Sequence, residues 1–470
     1  MAARLHFETP PPLPPSPKPP TSPRRNQRSN SQTSGVDALL RYLRSVTQGS
    51  VPNKTTFISA MRACSLLPSI PEGRAIHSHI LKAGLGADRF IASSVISFYS
   101  SCGQLRSARQ VFDGVCVKDA ALQTTMLKGY VEYGDIAKAR ALFDEMRTRD
   151  VIAWNAMISG YAQSGLPEDA LQLFHEMQIS NFQPNEVTLI GALSACSQMG
   201  CLALGEWIHG YIDRHLDVFQ SPTLGNALVH MYAKCGRLDA AFELFLGQKL
   251  RNLESWNAML TGFAIHGHGT CALSLFSQMI KLGVWPDRIS FLAVLMACSH
   301  GGMVDHAQRC FNCMNRIYGM EPEAKHYGCM VDILSRGGHL DEARSLLSSM
   351  PFEPDACSWG AFLHGCFTYG NYGLGLEAAG HLIELEPWEE GRYVALLNLY
   401  SLTGGVEDAI RVRKVIHEMG IKQPSGRSMI EVDGVAHEFL AGDRSHCQSS
   451  DIYSMIEKIA SNLELLDQLY

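Results

Sequence analysis

The chain has 470 residues, 46% hydrophobic and 18% charged, with a formal net charge of −6 at neutral pH. That length allows one long repeat array or several globular domains, and no apolar run approaches the roughly 20 residues needed to cross a bilayer, so no membrane segment is expected. The acidic balance is not the basic footprint of a non-specific nucleic-acid binder, so any nucleic-acid contact must rest on local groups facing a groove.

Residues 1–35 are not expected to fold. Nine prolines lie between Pro10 and Pro23, Arg24, Arg25 and Arg28 follow among Ser, Asn and Gln, and Glu8 is the only acid. A basic, Ser-rich, acid-poor stretch without an apolar core fits an organellar transit peptide, plastid before mitochondrion, with a plain disordered tail as the alternative. Helical patterning begins at Asp37, and residues 37–53 read as the second half of a helical hairpin.

From Lys54 the chain divides into units 54–88, 89–119, 120–150, 151–185, 186–221, 222–252, 253–287, 288–323 and 324–355. Unit 151–185 sets the pattern. Trp154, Met157, Ile158 and Tyr161 mark a first amphipathic helix that should stop at Ser164-Gly165, where Gly tolerates the left-handed conformation that ends helices. Pro167, Glu168 and Asp169 open a second helix, whose stripe is Ala170, Leu171, Leu173, Phe174 and Met177. Unit 253–287 repeats it 102 residues later, with Trp256-Asn257-Ala258-Met259 matching Trp154-Asn155-Ala156-Met157. Two other unit types alternate with this one, carrying Ala-Cys-Ser (Cys64, Cys196, Cys298) or Tyr-x-x-Cys-Gly (Cys102, Cys235). A single hairpin cannot bury its own apolar faces, so the units must stack. Cysteines locked to a repeat read as small packed residues in a reducing compartment, not as a disulfide set.

Two more hairpins follow, 356–390 and 391–423. Residues 424–443 alternate and are β-branched around Asp433-Gly434, which predicts a small β-hairpin. Residues 451–470 return to a helical stripe through Ile452, Met455, Ile456, Ile459, Leu463 and Leu466. The expected fold is an all-α superhelical solenoid of helix-turn-helix repeats with a small C-terminal segment containing a β-hairpin.

Alternating units of 35, 36 and 31 residues resemble the PLS class of plant pentatricopeptide repeat (PPR) proteins over residues 37–470. SWGAFLHGC and RYVALLNLYSLTGG are similar to that family's E1 and E2 motifs, and SMIEVDGVAHEFLAGDRSHCQS to its E+ segment. Met429, Ser425 and Cys447 depart from the family's Trp, Pro and Pro. The resemblance implies a transit peptide at 1–35, a PPR array at 37–355, E1/E2 helical motifs at 356–423 and an E+ segment at 424–470. A DYW deaminase domain is not expected. A zinc deaminase needs H-x-E followed by C-x-x-C, and the 28 residues after Gly442 hold one Cys.

The resemblance further implies single-stranded RNA binding at one base per repeat, read by the fifth and last residues of each unit. A last-position Asp accepts the imino N–H of G or U, and a last-position Asn donates to the ring acceptor of A or C. In family usage Thr or Ser at the fifth position goes with purines and Asn with pyrimidines. Carried over, Ser93 with Asp119 and Thr124 with Asp150 imply G. Asn155 with Asn185 and Asn226 with Asn252 imply a pyrimidine, C preferred, and Asn257 with Asp287 implies U. Ile58, Ile190 and Leu292 cannot hydrogen-bond a base, and Gly328 with Asp355 gives no reading. The expected 5′-to-3′ sequence is G-G-Y-n-Y-U-n-n, with the family's edited cytidine four nucleotides beyond its last base. The same residue types near helix starts are ordinary N-caps, and five pairs in register favour base reading. Lys234 and Arg336 are the candidate phosphate contacts. Ser101, Glu132, Gln163 and Ile265 occupy the corresponding position elsewhere, so modest affinity is expected.

Other chemistry is thin. Cys310-x-x-Cys313 lacks the second ligand pair of a structural zinc site, His437-Glu438 and His446-Cys447 fall in the E+ segment, and no cofactor or catalytic site is expected. The reading is an organellar site-recognition factor for C-to-U RNA editing that recruits a DYW-type deaminase in trans, with MORF-family proteins as further partners, and not itself an enzyme. The alternatives are RNA stabilisation, processing or translation without editing, and a helical protein–protein scaffold.

Overall fold

The computed structural model describes residues 36–456 apart from 68, 216–220, 250, 419–426, 433–434, 441–445 and 447. The expected transit peptide and the stripe beyond residue 456 lie outside the described residues. Two compact units divide the chain, Met1–Ile333 and Leu334–Tyr470.

In the first unit, residues 36–47 form α1, and helical hairpins follow. They are α2–α3 (Lys54–Leu66, Ile70–Lys82), α4–α5 (Arg89–Ser101, Leu105–Gly114), α6–α7 (Ala120–Glu132, Ile136–Glu145) and α8–α9 (Val151–Gln163, Pro167–Ile179). Then come α10–α11 (Glu186–Met199, Leu202–His215), α12–α13 (Pro222–Lys234, Leu238–Gly247), α14–α15 (Leu253–Ile265, Gly269–Lys281) and α16–α17 (Arg288–His300, Val304–Arg316). The boundary between the units falls within α18 (Ala324–Arg336). The two unit lengths have a simple origin. In repeats of 31 residues the second helix has 10 residues (α5, α7, α13), and in repeats of 35 or 36 it has 13 or 14 (α3, α9, α11, α15, α17).

Local signals place these boundaries. α8 ends before Ser164, and Gly165 turns the chain at φ +72°, as Gly267 does after α14 at φ +73°. Pro167 takes the first turn of α9, with Glu168 and Asp169 beside it. The last residue of seven successive repeats caps the next first helix: Asp88, Asp119, Asp150, Asn185, Ser221, Asn252 and Asp287 each accept a backbone N–H.

Each first helix from α2 to α14 packs on the first helix of the next repeat, so a continuous core runs along the array. Trp154 meets Phe143 edge-on at 4.9 Å and Trp256 meets Phe245 in the same way at 4.9 Å. Arg149 lies 4.6 Å above Phe143 and donates to its carbonyl, and Arg251 does likewise over Phe245 at 5.1 Å. Glycines admit the close approach. A Cβ on Gly129 would lie 2.2 Å from Ser100 Oγ, one on Gly160 2.7 Å from Val131 Cγ1, and one on Gly262 2.6 Å from Ala233 Cβ. The described cysteines are free thiols, and burial pushes Cys196 and Cys298 up to about 12.

The second unit holds α19 (Leu340–Ser349), α20 (Ala356–Thr368), α21 (Tyr372–Leu385), α22 (Glu390–Thr403) and α23 (Val406–Glu418). Strands β1 (Arg427–Val432) and β2 (Val435–Leu440) pair antiparallel with Val432 opposite Val435, and residues 449–456 form α24. Arg344 pairs with Glu377 and Arg392 with Glu386. Burial thins along this unit. α20 buries Trp359, Phe362 and Leu363, α22 only Tyr393 and Leu399, and no described side chain of α23 is buried.

Candidate nucleic-acid interface

First helices present the same few positions to two concavities. The first is lined by Ile58, Arg62, Phe90, Ser93, Ser97 and Lys128 among others. The second is lined by Thr223, Asn226, His230, Glu254, Asn257 and Thr261 among others. These are the second, fifth and ninth residues of their repeats, counted from the unit starts given above.

Four expected reader pairs are formed. Thr124 Oγ1 donates to Asp150 Oδ1 at 3.3 Å. Asn155 Nδ2 donates to Asn185 Oδ1, Asn226 Nδ2 to Asn252 Oδ1, and Asn257 Nδ2 to Asp287 Oδ1, each at 3.0 Å. The fifth residues are buried, and each Asn is gripped from behind. Thr188 Oγ1 donates to Asn155 Oδ1, Ser255 Oγ to Asn226 Oδ1, and Ser290 Oγ to Asn257 Oδ1, all at 2.5 Å. Each such bond contributes roughly 0.5–1.5 kcal/mol net.

Capping and base reading are therefore compatible, because they use different atoms. Oδ1 of the last residue faces inward, accepting both the cap N–H and the fifth side chain. Since a backbone N–H requires an acceptor, the orientation of Asn185 and Asn252 is forced, and their Nδ2 groups face away from the cap. Those Nδ2 groups, and Oδ2 of Asp150 and Asp287, have no partner among the described residues. The outward atom is thus a donor at 185 and 252 and an anionic acceptor at 150 and 287.

The fifth expected pair is not formed. Ser93 Oγ bonds Thr125 Oγ1 at 3.0 Å, and Asp119 Oδ2 is held by Arg89 at 3.1 Å. Both partners are engaged elsewhere, although Thr124, whose hydroxyl has the same reach as Ser93's, does meet its cap. Among the expected phosphate contacts, Lys234 is the exposed last residue of α12 and is not part of the second concavity's lining, and Arg336 is the exposed last residue of α18. The first concavity instead contains Arg62 and Lys128, at the ninth position. Burial, then Lys234, lowers the His230 pKa, so that ring is neutral at pH 7. Sequence register also passes over the second position. Phe90, Ile152, Val187 and Ile289 are each more than half exposed. A large apolar residue one place into a helix that the core never covers was the available signal.

The profile described as the PPR repeat family matches residues 149–198, and the PPR repeat profile matches 124–151, 226–246, 254–284, 289–317 and 325–353. The E motif profile matches 369–431. A mitochondrial pentatricopeptide repeat-containing protein of Arabidopsis thaliana is 42% identical over 89% of this chain and 61% of its own length, and a chloroplastic one is 34% identical over 88% and 52%. The chain thus spans about half to three-fifths of these two relatives. Another Arabidopsis thaliana pentatricopeptide repeat-containing protein is 45% identical over 91% of this chain and 68% of its own. Among solved structures, maize PPR10 in complex with an 18-nt psaJ RNA element aligns with a TM-score of 0.63 at 20% identity, over 83% of this chain and 60% of that one, which concerns the fold.

Proposed function

The chain belongs to the plant pentatricopeptide repeat family, and from that premise we propose that it is a sequence-specific single-stranded RNA-binding protein of an organelle. On this reading it selects cytidines for C-to-U editing as an adaptor, and a DYW-type deaminase supplied in trans does the chemistry, with MORF-family proteins as further partners. Residues 37–355 form the reading array, 356–423 the E1/E2 motifs and 424–470 the E+ segment.

One observation carries the RNA reading. Four buried fifth residues hold four last residues so that a single donor or acceptor points outward from each repeat. Preorganised edges of this kind match the Watson–Crick edges of unstacked bases. Exposed Phe90, Ile152, Val187 and Ile289 supply apolar faces between which bases stack, and Arg62 and Lys128 meet phosphates. The match to the E motif supports the editing part, and the organelle-targeted relatives support the location.

Sequencing of organellar transcripts from plants with and without the protein tests this. One cytidine downstream of a stretch fitting the expected bases should stay unedited in its absence. Intact editing with a shifted transcript end would replace editing by transcript protection, and failure to bind any single-stranded RNA would leave a protein scaffold.

A further inference from the structure

The eight repeats that lie wholly in the first unit, 54–88 to 288–323, fall into two sets, divided by their first residue. In 120–150, 151–185, 222–252 and 253–287 the first residue is apolar (Ala120, Val151, Pro222, Leu253), and the fifth side chain holds the last residue. In 54–88, 89–119, 186–221 and 288–323 the first residue is charged, and it holds the last residue instead. Lys54 Nζ bonds Asp88 Oδ2 at 2.7 Å, Arg89 bonds Asp119 Oδ2 at 3.1 Å, Ser221 Oγ bonds Glu186, and Arg288 Nε bonds Glu323 at 3.2 Å. No repeat among the eight combines the two modes.

The modes differ in what they leave outward. Where the fifth residue binds, it shares Oδ1 with the cap, and the other atom remains available. Where a basic first residue binds, it takes Oδ2 while the cap takes Oδ1, so the carboxylates of Asp88 and Asp119 have both oxygens engaged. A base arriving at Asp119 must displace a guanidinium before its ring N–H finds an acceptor. Stacking does not change this, because the ion pair lies within one repeat. Lys54 and Arg89 also lie over the Phe90 ring, at 4.4 and 4.8 Å, which fixes both cations at this edge.

We propose that the first residue of a repeat is a specificity determinant: a charged one silences the last residue, and an apolar one leaves it free to read. Repeat 89–119 is then silent despite its Ser93–Asp119 composition, and the recognised sequence becomes n-G-Y-n-Y-U-n-n. This rests on the base-reading proposal above and adds a selector that the fifth and last residues do not encode.

The test uses the full chain and RNA oligonucleotides 5′-NGCACUAA-3′, with the first base and, separately, the U varied. The unaltered chain should bind all four N variants within about twofold while preferring U at its own position. Arg89→Val should make G and U bind roughly fivefold tighter than A and C at N, because both present a ring N–H to the released Oδ2. If Arg89 merely neutralised a phosphate, its removal would lower all four affinities alike and leave this ratio unmoved. Leu253→Arg should flatten the U preference and leave the preceding position unchanged. Arg89→Met, which keeps the side chain's bulk and has no donor, substitutes if the valine variant loses helicity. If the unaltered chain discriminates at U and neither Arg89 variant gains discrimination at N, the selector is overturned and base reading stands. If the unaltered chain discriminates nowhere, base reading falls and the selector with it.

Discussion

Repeats 151–185 and 253–287 are near-duplicates that end differently. Both have Asn at the fifth position with Nδ2 3.0 Å from the last residue, a hydroxyl 2.5 Å behind it, and a buried Trp edge-on to a Phe of the preceding repeat. One ends in Asn185 and the other in Asp287, so the outward atom changes from a donor to an anionic acceptor while its scaffold does not. The array therefore separates holding from reading. Everything up to Oδ1 is common equipment, and on the base-reading proposal one outward atom would carry the choice of base.

Removing the common equipment should cost most. Trp256→Ala should destabilise the chain by about 3–5 kcal/mol in chemical denaturation, and Trp154→Ala by a similar amount. Trp256→Phe should cost far less, because the indole N–H of each Trp has no partner among the described residues; unequal losses in the twins would break the comparison. Asn257→Ala, which strips Asp287 of its buried support, should cost roughly 1–3 kcal/mol and abolish the U preference in oligonucleotide binding. The sharper probe is the exchange. Asp287→Asn should convert U preference to C, and Asn185→Asp should convert C to U, each by about tenfold, or ~1.4 kcal/mol, with unchanged melting. Joint replacement of Arg62 and Lys128 by Ala should weaken all RNAs alike and reduce the salt slope by about 0.7 for each phosphate that is no longer neutralised. The mildest check uses thiols. Cys196 and Cys298, in the repeats that follow each twin, should resist alkylation at pH 8 while exposed Cys116 and Cys357 react, since burial holds the first two as thiols.

The stacked hairpins were legible because their signals are local and repeat. Trp154 and Trp256 keep their place in the 35-residue period, and Gly165 marks a turn by its own backbone chemistry. Four contacts between fifth and last residues were legible because those residues hold the same register in each of these repeats. Ser93 and Asp119 do not meet because Thr125 and Arg89 engage them, and nothing in a pair code names Arg89 as a competitor. Phe90, Ile152, Val187 and Ile289 look like core residues until packing shows that more than half of each stays exposed. Lys234 was placed by register alone, whereas Arg62 and Lys128 come into the concavity through the approach of successive helices.

That approach depends on hydrogens where other residues carry methyls. At Gly129, Gly160 and Gly262 the neighbouring repeat occupies the space of a Cβ, so these positions set the stride of the array. A strand read at one base per repeat must unstack and lengthen its own step to match that stride. An alanine at Gly160 would leave every reader chemically intact and still push the bases on either side out of phase. On the RNA-binding proposal, the missing methyls would gauge the strand by length before any edge is compared, and a sequence with the right letters at the wrong cadence would be refused.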